Sequence, residues 1–176
     1  MTGSPQIIVI GIGNPDRGDD AAGRLVARAL GQKLSSHVVS VCEMSGEALA
    51  LVEKMTQASI VFIIDACISG QKSGDITRID LRDQDLPSQQ GDMSSHGFGL
   101  SAAIDLANIL GQLPAICIIY AIEGENYALG AAVSPSVQQA IDKVICRIED
   151  EIVNFIPMKG ARSEEHTSEL QSRETI

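Results

Sequence analysis

Basic side chains are scarce in this sequence: 13 Lys and Arg stand against 23 Asp and Glu, and the formal net charge is -10. No Lys/Arg cluster occurs, so there is no electrostatic footprint for a phosphate backbone, and nucleic acid is excluded as an expected partner. No apolar run approaches the roughly 20 residues a membrane helix needs, and the first residues, MTGSPQ, lack the charged and apolar regions of a signal peptide. A cytoplasmic protein with no membrane partner is expected. The four cysteines, Cys42, Cys67, Cys117 and Cys146, form no C-x-x-C pair, which argues against a zinc knuckle or a redox dithiol. Three of them lie in or beside apolar runs and read as small buried hydrophobes. Cys67 stands apart because it follows Asp65 by two residues at a strand end.

What the sequence does have is apolar mass, 44% of 176 residues, enough for one large core, and residues 1–161 read as a single domain. Residues 162–176 break with everything before them. The segment RSEEHTSELQS is polar and without period, follows the helix-stopping PMKG, and resembles the translation of a common sequencing-library adapter. It is taken as a non-native, disordered tail, and its His166 is not counted among candidate ligands.

From Gln6 onward, short β-branched runs alternate with helical patterns, which predicts an α/β fold: a three-layer α/β/α sandwich around a mostly parallel five-stranded sheet. The spacing predicts strands over 6–11, 37–43, 59–65, 75–80 and 115–122, and helices over 20–34, 46–55, 97–110 and 136–155. Gly31 and Gly111 read as C-terminal caps, and Ser134-Pro135-Ser136 as a capping start. The turn SGQKSGD suggests that the fourth strand forms a hairpin with the third, as an antiparallel edge. The segment Leu81 to Ser95 has no apolar period, and loops of that length tend to be functional, here as a flap over a substrate.

In an open parallel sheet, ligands bind beyond the carboxyl ends of the strands. Asp19 and Asp20 follow the first strand, Asp65 ends the third, and His96 precedes the third helix. Singly each has a bland explanation: one of the adjacent acids capping its helix, Asp65 accepting loop N–H groups, His96 satisfied within its turn. Together, two carboxylates and an imidazole from separate loops make an N,O donor set suited to nickel, zinc or a similar divalent ion. The loop GIGNPDRGDD departs from the G-x-G-x-x-G turn that closes on pyrophosphate, and its acids Asp16, Asp19 and Asp20 would oppose an anionic ligand. Glu43, at the end of the second strand, still mimics a ribose-binding acid, so a dinucleotide-binding oxidoreductase stays open as an alternative. Gly13 supplies backbone freedom for the turn, and Asn14 fixes it through its side chain.

The motif GIGNPDRGDDAAG resembles the opening motif of the nickel-iron hydrogenase maturation endopeptidases. The likeness continues through EMSGEAL, IIDACISGQKSGDI, SSHGFGLSAAIDLANILGQLPAICIIYAIEG and GAAVSPSVQQAI, from Gln6 to about Phe155. The resemblance implies an endopeptidase of aspartyl type that removes a C-terminal extension from the hydrogenase large-subunit precursor after nickel insertion. It also implies that Asp20, Asp65 and His96 are the catalytic, metal-contacting triad, and that the nickel is carried by the substrate rather than held tightly by the enzyme. Family members also carry glutamate at the first position. Asp20 is shorter by one methylene, which places the metal deeper or behind a water. A nickel-dependent binding or chaperone module for the same precursor, without cleavage, is the other alternative.

Overall fold

The computed structural model describes residues 6–34, 38–86 and 97–156. The first apolar run forms β1 (Ile7–Ile12), every residue of which is buried. Continuous burial of β-branched residues is the mark of an inner parallel strand covered on both faces. A 3₁₀ turn over Gly18–Ala21 leads into α1 (Ala22–Leu34). There follow β2 (Val39–Met44), α2 (Ala48–Met55), β3 (Ile60–Cys67), β4 (Ile76–Asp80), α3 (Gly97–Ile109), β5 (Ile116–Glu123) and α4 (Pro135–Phe155).

The strands stand in the order β2-β1-β3-β5-β4. All neighbours are parallel except β4 and β5, which pair antiparallel from Ile76 opposite Ile122 to Asp80 opposite Ile118. The expected antiparallel edge is therefore present, but its partner differs: β4 pairs with β5 and not with β3. The reason is that β3 is already bonded to β1 on one side and β5 on the other, so neither of its edges is open to a hairpin. Arg78 of this edge strand makes a bidentate pair with Glu151 of α4 (2.9 and 2.8 Å), and the buried Tyr120 hydroxyl donates to the same carboxylate. The edge strand is thereby tied through its side chain to α4.

Alternation along the strands sorts side chains into two cores. Ile7, Val9, Phe62, Ile64, Ile118 and Tyr120 face α1 and α4, whose Val26, Leu30, Ile141 and Ile148 are buried against them. Ile8, Ile10, Ile12, Val61, Ile63 and Ile119 face α2 and α3, meeting Leu51, Met55, Ala103 and Ile104. A fully buried isoleucine of this kind contributes roughly 1.5–3 kcal/mol. The parity matters for the site: Asp65 continues the row of Val61 and Ile63, and so belongs to the face covered by α2 and α3.

The helix ends carry one correction and one expectation met. Gly31 lies inside α1 with no positive φ, so α1 runs on through it. Gly111 does cap α3: it has φ 63°, its N–H donates to Asn108, and the next N–H, of Gln112, donates back to Ala107. That pattern closes the last turn of the helix. His37, the stretch 87–96 of the expected flap, and the tail at 162–176 lie outside the described residues. Among the described residues, no helix is long and apolar enough to cross a membrane.

Candidate active site

The β1–α1 loop owes its shape to glycines at close approaches. A Cβ on Gly13, whose φ is 139°, would stand 1.8 Å from the carbonyl oxygen of Asp20. A Cβ on Gly23 would stand 2.3 Å from the carbonyl oxygen of Ile64, the residue before Asp65, and 2.4 Å from that of Ile12. Only glycine lets backbone approach backbone this closely. The first turn of α1 is thus seated across the carboxyl ends of β1 and β3. Asn14 fixes the loop as expected, its Oδ1 accepting the N–H of Asp16 at 3.0 Å.

Asp20 and Asp65 are 0% and 3% exposed. Asp20 rides on the 3₁₀ turn, and Asp65 sits two residues before the end of β3, where its Oδ1 accepts the N–H of Ala66 at 2.9 Å. Both therefore lie buried at the carboxyl edge of the sheet, brought to it by adjacent strands. His96 is outside the described residues. The helix that follows it in sequence begins at the same edge: a Cβ on Gly99 of α3 would stand 1.9 Å from the carbonyl oxygen of Gly46 in the β2–α2 loop. Among the described residues, no three His, Cys, Asp or Glu side chains group in a way that would hold a metal ion.

The adjacent acids divide their labour differently from a helix cap. Arg17 occupies the cap position of the 3₁₀ turn, with no side-chain cap bond. Asp19, fully buried, reaches instead across to the β5–α4 loop. Its Oδ2 accepts the N–H groups of Glu125 and Asn126 and the hydroxyl of Ser134, all at 2.9 Å, and its Oδ1 accepts the N–H of Ser134 at 2.6 Å. Burial raises its pKa, but these donors outweigh burial and hold the carboxyl below its usual range. The Ser134 hydroxyl, expected to cap α4, is spent on Asp19; Ser134 stays at the cap position with Pro135 after it.

A second buried carboxylate, Glu123 at the end of β5, shapes the neighbouring turn. It accepts the N–H groups of Ser69 (2.8 and 3.0 Å) and Gly70 (2.9 Å), the Ser69 hydroxyl (2.6 Å) and the Cys67 thiol (3.3 Å). Burial first, and the Glu123 carboxylate second, push the Cys67 thiol far up, so it is no thiolate nucleophile. Tyr127 closes the ring, its hydroxyl donating to the Cys67 carbonyl at 2.7 Å. The roles of Asp19, Glu123 and Tyr127 were not visible in the sequence. The available signal was a lone acid ending the apolar run AICIIYAIEG.

Glu43 is engaged by arginines: it takes Arg28 in a bidentate pair (3.0 and 2.9 Å) and Arg24 at 3.2 Å, while Arg24 also reaches the Gly13 carbonyl at 3.4 Å. Its carboxyl is held below the usual range, chiefly by the Arg28 hydrogen bond. The acid that mimicked a dinucleotide motif is a brace between β2 and α1.

A family model described as hydrogenase maturation protease matches residues 25–151. The chain belongs to the hydrogenase maturation protease family, a family of peptidases. Among curated relatives, it is 26% identical over 149 residues to the hydrogenase expression/formation protein HupD of Thiocapsa roseopersicina, covering 82% of this chain and 66% of that one. It is 24% identical over 161 residues to the hydrogenase 2 maturation protease of Escherichia coli strain K12, covering 88% of this chain and 98% of that one. Among solved structures, the fold is similar to the hydrogenase maturating endopeptidase HybD from E. coli (TM-score 0.73, 18% identity, 85% of this chain and 93% of that one). It is also similar to the hydrogenase maturation protease HycI from Thermococcus kodakarensis (TM-score 0.66, 24% identity, 86% and 95%). The α/β architecture with one antiparallel pair is that of this family.

Proposed function

We propose that this protein is the endopeptidase that removes the C-terminal extension of a nickel-iron hydrogenase large-subunit precursor after nickel insertion, and that it recognises the nickel the precursor already carries. The observation that supports this most is the pair of buried carboxylates, Asp20 and Asp65, at the carboxyl edge of the sheet. The four hydrogen bonds on Asp19 make it a poor ligand, and the likeness of the motif GIGNPDRGDDAAG to the family's opening motif assigns the metal contact to Asp20. His96, immediately before α3 in the sequence, is the third member. Two carboxylates and an imidazole are hard-to-borderline donors that complete the coordination of a thiolate-bound nickel ion. Cleavage then depends on a correctly loaded substrate.

In this reading the enzyme supplies orientation and proton transfer. Asp20 and Asp65 draw the nickel-bearing segment against the sheet edge, where either a carboxylate takes a proton from the attacking water or the substrate's nickel polarises the scissile carbonyl. The reaction takes place in the cytoplasm, without nucleic acid or membrane. The test is mass spectrometry of a cognate large-subunit precursor incubated with the protein, nickel-loaded and nickel-free in parallel. Loss of a C-terminal peptide from the loaded sample alone is the expected result. Complex formation with no cleavage in either sample would replace this reading with that of a binding or chaperone module, and equal cleavage in both would remove the nickel requirement.

A further inference from the structure

The β5–α4 loop touches both halves of the candidate site. On one side it grips the turn that carries Asp20. Asp19 accepts from Glu125, Asn126 and Ser134, its own N–H donates to the Asn126 carbonyl at 2.9 Å, and a Cβ on Gly18 would stand 2.3 Å from that same oxygen. On the other side it grips the strand that carries Asp65: the Tyr127 hydroxyl donates to the Cys67 carbonyl at 2.7 Å, and the Gly124 N–H to the same oxygen at 3.0 Å. A Cβ on Gly124 would meet both the Tyr127 hydroxyl, at 2.4 Å, and the Asp19 Cβ, at 3.0 Å, so the two grips share one crowded point.

We infer that Asp19 is a positioning residue which, through the β5–α4 loop, sets where Asp20 stands relative to Asp65. The chemistry of the side chain supports this over a general packing role. A carboxylate offers acceptors only, and all four partners here are donors. An asparagine of the same shape keeps one acceptor and turns the other into an NH₂ group facing an N–H donor, so at least one of the four bonds is replaced by a clash of donors and the charge is lost, which weakens the grip on the loop while the volume is kept. Ligand-orienting partners of this kind typically cost 10- to 100-fold in activity when removed.

The inference rests on the proposed peptidase reading, and its test has one arm that does not. In Asp19→Asn, amide exchange measured by NMR is expected to accelerate by about 10-fold or more at Glu125, Asn126 and Ser134, and also at Asp20, whose N–H donates to the Arg17 carbonyl. In the second arm, kcat for precursor trimming falls by about 10- to 100-fold while KM stays within about two-fold. Ser134→Ala removes only the hydroxyl donor and gives the same split at smaller size; it carries the test if Asp19→Asn does not fold. Faster exchange in the loop with unchanged exchange at Asp20, a loss confined to KM, or a kcat within about two-fold of wild type would overturn the inference. Should the wild-type protein trim nothing, the peptidase reading fails, and the exchange arm alone still decides the positioning role.

Discussion

Cys67 and Glu123 lie directly opposite each other in the parallel pairing of β3 with β5, and the thiol donates to the carboxylate across that pair at 3.3 Å. A thiol buried beside an anion resists ionisation. Cys67 is accordingly held far above its usual pKa, by burial first and Glu123 second, and burial raises Cys117 to about 12. Cys146, on α4, is exposed. Iodoacetamide at pH 8 is expected to alkylate Cys146 in the native protein and to spare Cys67 and Cys117 until denaturant is added. Peptide mass mapping reads this directly, and early modification of Cys67 would show that the Glu123 cluster opens.

Gly31 and Gly23 both lie in α1, and replacing them by alanine is expected to have opposite signs. At Gly31 a Cβ meets only Val41 carbons, at 3.7 and 3.8 Å, which is ordinary contact, and helical glycine is entropically costly. Gly31→Ala should stabilise by roughly 0.5–1 kcal/mol. At Gly23 the same Cβ meets two backbone oxygens of the sheet, so Gly23→Ala should destabilise by about 1–3 kcal/mol or more as α1 is pushed away. Urea unfolding of the two variants checks the pair; destabilisation by both would mean that α1 is seated more tightly than the Gly31 contacts indicate.

Several carboxylates are held low in the folded state. Asp80 is depressed chiefly by the hydrogen bonds from Arg82 (2.9 and 2.6 Å), and Asp19 by loop donors that overcome its burial. A depressed folded-state pKa means stability that is present above the unfolded value, about 3.9 for aspartate, and lost as pH falls through the folded value. The urea midpoint is therefore expected to change little for this reason between pH 7 and pH 5, and to drop below about pH 4. Asp80→Asn should be less stable at neutral pH and should lose less between pH 5 and pH 3. An acid slope identical to wild type would show that Asp80 contributes nothing to it.

Much of the fold could be read from the sequence because its strands are apolar runs rich in β-branched residues and α1, α2 and α4 have clear apolar stripes. Each of the five strands lies within two residues of its expected position at either end. What could not be read was pairing and partnership. The turn SGQKSGD looks like a hairpin, yet the segment that takes the edge of β3 comes forty residues later in the chain, as β5, and nothing local announces it. Asp19 and Asp20 are chemically identical neighbours; their separation into loop anchor and candidate ligand is decided by Ser134, more than a hundred residues away. The place of Asp65 at the carboxyl edge was legible because it ends the apolar run SIVFIID, which forms β3. Glu123 ends an apolar run in the same way, but its partners Ser69 and Gly70 lie in a turn that the sequence assigns to no particular neighbour.

The proposed triad of Asp20, Asp65 and His96 is tested by changing reach and charge separately. Asp65→Asn keeps the shape of a buried side chain at the carboxyl edge while removing the negative charge that a cation needs, and His96→Ala removes the imidazole. Each is expected to fold normally and to lower precursor trimming by at least about 100-fold, more than loss of an orienting partner costs. Asp20→Glu lengthens the side chain by one methylene without changing its charge. It should retain trimming, whereas Asp20→Asn should lose it. Single-turnover assays on nickel-loaded precursor, with circular dichroism to confirm folding, distinguish the possibilities. Normal trimming by Asp65→Asn or His96→Ala would remove that residue from the site. Equal loss in Asp20→Glu and Asp20→Asn would mean that position 20 is read by fit rather than by charge, which would leave Asp65 as the carboxylate that meets the metal.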